Sequence, residues 1–71
     1  MKSVYFIGAG GIGMSALVRY YLAKGLNVGG YDKTPSELTE QLIKEGAQIH
    51  YEDNIAAVPE CFKQKADTLV V

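Results

Sequence analysis

Apolar and polar positions recur along this chain with two different periods, and the changes of period predict its elements. Val4-Tyr5-Phe6-Ile7 is an unbroken apolar run that stops at a glycine, the mark of a strand covered on both faces. From Ile12 to Lys24 the spacing turns helical, with Met14, Leu17, Val18, Tyr21 and Leu22 forming one stripe and Gly25 placed to end it. Asn27 to Tyr31 reads as a second strand, and Gly29 and Gly30 mark a close approach by backbone or ligand. Thr34-Pro35-Ser36-Glu37 predicts a capping box with Thr34 as N-cap, Pro35 first in the helix and Glu37 reaching back. That second helix buries Leu38 and Leu42, pairs Glu40 with Lys44 on its surface, and stops at Gly46. Gln48 to Tyr51 predicts a third strand. Asn54 caps a short turn over Ile55 to Val58, Pro59 restarts the chain for a helical turn or two up to Ala66, and Thr68 to Val71 predicts a fourth strand.

Alternating strands and helices predict an α/β fold: a parallel sheet in the order 3-2-1-4, with right-handed crossovers and helices on both faces. The chain has 71 residues, enough for one small core and too few for a second domain. Ending on an apolar strand, it reads as a piece of a longer protein.

Charge removes several function classes. Seven Lys and Arg against eight Asp and Glu leave a net charge of −1 with no like-charge run, which gives no footprint for nucleic acid or an anionic membrane. The lone Cys61 makes no internal disulfide, and no Cys/His spacing suits zinc, which points to a reducing, cytoplasmic setting. The uncharged stretch from Ser3 to Val18 is broken by four glycines and is too short for a membrane span.

The candidate chemistry sits where the first strand meets the first helix. Gly8-Ala9-Gly10-Gly11-Ile12-Gly13 fits G-x-G-x-x-G in the strand-to-helix context that gives this string meaning, a Rossmann-like dinucleotide-type loop. Gly8 permits the tight turn, Gly10 admits a diphosphate, and Gly13 lets the helix pack close to the strand. The N–H groups of Gly11, Ile12, Gly13 and Met14 are expected to face the anion, with Ser15 adding a hydroxyl. Asp32, at the end of the second strand, is placed to accept hydrogen bonds from ribose hydroxyls. A purely structural glycine turn and a turn aspartate are the plain alternatives.

Other polar residues promise less. His50 stands without a Ser, Cys or carboxylate at catalytic or metal spacing, Cys61 beside Phe62 reads as a core residue, and Glu52 and Asp53 read as solvated. Tyr21 is expected to pack inward and Tyr20 to stay near the surface. No general acid/base pair, metal cluster or Walker loop is visible.

The wording from Phe6 to Leu17, Phe-Ile-Gly-Ala-Gly-Gly-Ile-Gly-Met-Ser-Ala-Leu, resembles the N-terminus of the Mur ligase family. Gly30-Tyr31-Asp32-Lys33-Thr34 is similar to that family's second-strand end, and Leu42 to Tyr51 to its next helix and strand, so the resemblance spans the whole chain. It implies that residues 1–71 are the N-terminal, Rossmann-like domain of a longer cytoplasmic ligase of peptidoglycan synthesis. That domain binds the UDP part of UDP-N-acetylmuramate, while ATP, Mg and the amino acid belong to later domains. Gly8, Gly10, Gly11, Ile12, Gly13, Met14 and Ser15 would then meet the diphosphate, and Asp32, Lys33 and Thr34 the uridine. No catalytic residue, metal ligand or resident cofactor is expected within the 71 residues, whose partners are a UDP-sugar and the rest of the ligase chain. Ala9 and Tyr31 depart from the family's usual isoleucine and serine, the second beside the ribose or uracil. An amino-acid or a recycled muramoyl-peptide acceptor, an NAD-binding module, and a structural or interaction fragment all stay open.

Overall fold

The computed structural model describes residues 2–11 and 13–71, and of Ile55 and Lys65 only the backbone. The chain runs β1 (Ser3–Ile7), α1 (Met14–Ala23), β2 (Asn27–Tyr31), α2 (Glu37–Lys44) and β3 (Gln48–His50). Three single 3-10 turns follow, at Ile55–Ala57, Glu60–Phe62 and Lys65–Asp67, and then β4 (Thr68–Val70). The four strands form one parallel sheet in the order β3-β2-β1-β4. Fold class and strand order are those the sequence predicts, but the two α-helices lie on one face of the sheet, where the sequence predicts helices on both.

Register decides what each face carries. Val4 pairs with Val28, and Phe6 with Gly30. Val4, Phe6 and Val28 share a fully buried cluster with Val18 of α1 and Leu42 of α2, so both α-helices cover one face. The physical reason is topological: β1, β2 and β3 step across the sheet in one direction, which puts their two crossovers on the same side. The opposite face is covered by the 3-10 turns instead, through Phe62. Its ring packs 5.6 Å from the Tyr5 ring and occupies the space that a side chain at Gly29 would need. Gly30 is tight for a different reason, since a Cβ there would meet the carbonyl of Phe6 and the methyl of Ala9. The two glycines of β2 admit the protein's own chain rather than a ligand.

Three sequence expectations change. Helix α2 starts at Glu37 with Ser36 as its N-cap; the capping box closes between Ser36 and Thr39, not between Thr34 and Glu37. The Thr34 amide is held by the Asp32 side chain in a turn at 3.0 Å, which keeps Thr34 out of the helix. Leu17 lies off the buried stripe of α1 and is 41% exposed, because that stripe is set by Val18 against β1 and β2. Glu40 and Lys44 form no ion pair; among the described residues the pairs are Arg19–Glu45 and Glu60–Lys63. Asn54 does cap its turn, accepting the Ala56 amide at 2.9 Å.

Candidate functional site

The glycine loop leaves the sheet at the C-terminal end of β1. Gly8 has φ 81, the left-handed conformation that the tight turn requires, and its amide and that of Ala9 both donate to the Tyr31 carbonyl, at 2.7 and 3.0 Å. Gly13 caps α1 with φ 87, and a Cβ there would meet nothing within 4 Å. Its glycine is therefore a matter of backbone conformation and not, as the motif suggested, of close helix packing. No side chain caps this helix.

Two of the four amides expected to fan toward the anion are spent on the loop itself. Gly11 donates to the Gly8 carbonyl at 2.9 Å and Met14 to the Gly11 carbonyl at 3.0 Å. Ile12 lies outside the described residues. Among the described residues, the Ser15 hydroxyl finds no protein acceptor.

Asp32 is the centre of the arrangement. Its Oδ2 accepts the Gly10 amide at 2.7 Å and its Oδ1 accepts the Thr34 amide at 3.0 Å, so one carboxylate joins the glycine loop to the turn before α2. A carboxylate offers about four acceptor positions, so each oxygen keeps one for a hydroxyl group. Gly10 is a glycine because of this contact: a Cβ would fall 2.7 Å from Asp32 Oδ2 and 2.7 Å from Thr39 Cγ2. Lys33 and Thr34 lie beside Asp32 and are exposed.

Sequence reasoning missed a pocket on the other face. A cavity of about 480 Å³ at the C-terminal ends of β1, β2 and β3 is lined by Tyr5, Ile7, Tyr31, His50, Asp53 and Val58, among others. It begins one residue from Gly8 and one from Asp32. His50 is half-buried, as expected, but not alone. Its Nδ1 lies 3.0 Å from the Glu52 carbonyl, which can only accept, so that nitrogen carries the proton; the Tyr5 hydroxyl then donates to Nε2 at 2.6 Å in the neutral ring. Burial, with the negative charge of Asp53, pushes the Tyr5 hydroxyl above its ordinary value of 10.0. A two-residue period from Tyr5 to Ile7, matched to Tyr31 and His50 across the sheet, was the signal for this pocket, legible only once the register is known.

The two tyrosines of α1 fall as expected. Tyr20 is exposed while Tyr21 packs on Phe6 at 6.3 Å. Cys61, expected in the core, is instead half-buried and outside the buried cluster, with the buried Phe62 beside it. Among the described residues no three His, Cys, Asp or Glu side chains gather as a metal site, and no helix is long and apolar enough to cross a membrane.

Residues 3–70 match the family described as Mur ligase family, catalytic domain. Over its full 71 residues the chain is 74% identical to the UDP-N-acetylmuramate--L-alanine ligase of Parabacteroides distasonis, 69% to that of Phocaeicola vulgatus and 58% to that of Porphyromonas gingivalis. It spans 15% of the length of the first of these and 16% of the other two. With a family match across nearly all of its residues, the chain belongs to the Mur ligase family.

Proposed function

We propose that this chain is the N-terminal region of a UDP-N-acetylmuramate--L-alanine ligase and that it binds the UDP end of the nucleotide-sugar substrate. The observation that carries the reading is the 2.7 Å bond between the Gly10 amide and Asp32, which puts a phosphate-type loop and a ribose-type acid in one rigid unit. Gly13 and Ser15 donate to the diphosphate directly. The amides of Gly11 and Met14 join only by sharing or opening their turn bonds. The ribose hydroxyls take the unused acceptor positions of Asp32, with Lys33 and Thr34 at the rim. The uracil extends past Tyr31 toward the aromatic pocket, whose volume is in the range usual for small-molecule sites.

In this reading the chain contributes binding and orientation to a cytoplasmic ligase. ATP and Mg supply activation of the substrate carboxylate as an acyl phosphate, and the described residues offer no ligand cluster for the metal. Both are assigned to other parts of the ligase.

The test is a titration of the full chain with UDP while the amide signals of Gly10 to Ser15 are followed. Shifts at Gly10, Gly13 and Ser15 are expected. Shifts with NAD but none with millimolar UDP would replace this reading with a dinucleotide module.

A further inference from the structure

We propose that Thr39 is a positioning residue for the glycine loop, acting through its methyl group while its hydroxyl performs a separate task. The proposal rests on the reading of that loop as the diphosphate site. Thr39 is polar yet completely buried, on α2, a helix that contributes no residue to the sequence motif.

The hydroxyl is fully used. Thr39 Oγ1 donates to the Ser36 carbonyl at 3.0 Å and accepts the Ser36 amide and the Tyr51 hydroxyl, both at 2.9 Å. One donor and two acceptor positions are all that a hydroxyl has, so no capacity is left for a ligand. Those bonds fasten the start of α2 to the residue that follows β3.

The methyl group meets a different element. Cγ2 lies 2.7 Å from the point where a side chain at Gly10 would begin, as does Asp32 Oδ2. Gly10 thus sits in a seat with two walls: the carboxylate that holds its amide, and the methyl that blocks its movement toward α2. Asp32 alone would fix a distance. Asp32 and Thr39 together fix a position, and with it the direction in which the following loop amides face.

Two near-isosteric substitutions separate the tasks, because Thr39→Ser keeps the hydroxyl and Thr39→Val keeps the methyl. In the full chain, Thr39→Ser is expected to accelerate hydrogen exchange at the Gly10 amide several-fold beyond any change in global stability. UDP affinity should fall about fivefold, the loss of part of one good contact. Thr39→Val strands the Tyr51 hydroxyl and the Ser36 amide, so its thermal midpoint should fall further than that of the serine variant. Its Gly10 exchange, corrected for global stability, should stay at the wild-type value. If the valine variant does not fold, Tyr51→Phe removes one of the same bonds and carries the same expectation. Wild-type exchange at Gly10 in Thr39→Ser, or UDP affinity unchanged by it, would overturn the proposal. Should the wild-type chain bind no UDP, the proposed function falls, while the exchange comparison still decides whether Thr39 positions the loop.

Discussion

The carboxylate of Asp32 and the amide of Gly10, 22 residues apart in sequence, are joined at 2.7 Å. This bond spans from the end of β2 to the loop after β1, and it brings the carboxylate to where a side chain at Gly10 would begin. Asp32 therefore has a structural duty of its own, apart from the role in ligand binding proposed for it.

Gly10→Ala is expected to break that bond, since the new Cβ would lie 2.7 Å from both Asp32 Oδ2 and Thr39 Cγ2. Overpacking of this kind costs about 1–3 kcal/mol. Chemical denaturation should show that loss, and calorimetry should show UDP affinity falling by more than about tenfold if the loop is displaced by the full contact energy.

Tyr5→Phe removes the hydroxyl that donates to His50 Nε2. A stability loss of about 0.5–1.5 kcal/mol is expected for one neutral hydrogen bond. The wild-type hydroxyl has its folded pKa raised above 10.0, so its contribution is complete below pH 10.0 and is lost as pH rises through the folded value. Unfolding curves on the alkaline side should therefore converge for the two proteins, whereas a gap that stays constant with pH would show that the Tyr5 hydroxyl titrates alike in the folded and unfolded chains.

Phe62→Ala should be the most damaging single change on the second face. Among the described residues, Phe62 is the one large buried side chain there, packed on Tyr5 and over Gly29. Truncating such a ring costs about 3–5 kcal/mol. A chain of this size holds roughly 4–10 kcal/mol in all, so the variant should unfold at or near room temperature in a thermal melt. Gly29→Ala acts on the same contact, since its Cβ would fall 2.8 Å from the ring and 2.7 Å from the Gln48 carbonyl.

Arg19 and Glu45 join α1 to the end of α2 through two hydrogen bonds, at 2.9 and 3.2 Å. The Arg19 guanidinium holds the Glu45 carboxyl below its ordinary value of 4.5. The sign follows: the stabilisation is present above pH 4.5 and is lost as pH falls through the lower, folded value. Thermal midpoints measured downward from pH 5 should fall more steeply for the wild type than for Arg19→Ala, and salt should shrink the difference, because the pair is exposed.

How far the sequence reads depends on the range of the interaction that fixes each feature. The strand at Asn27–Tyr31 was legible to the residue, because a polar start, the β-branched Val28, an aromatic end at Tyr31 and a following turn aspartate are local signals. The start of α2 was not, since Thr34 and Ser36 are both good caps and the choice was made by Asp32 capturing the Thr34 amide. Likewise the loop motif was legible as a motif, but the hydrogen bonds that consume the Gly11 and Met14 amides depend on how the turn closes.

By itself the sequence determined the α/β alternation, the strand order, the glycine loop and the acid that partners it, because periodicity and turn chemistry act over a few residues. Tertiary structure alone decided that both helices share a face, that Phe62 fills the space above Gly29, that Tyr5, Tyr31 and His50 enclose one pocket, and that Thr39 and Asp32 seat Gly10. Those facts follow from register and crossover direction, which bring together residues whose separation along the chain carries no signal of their meeting.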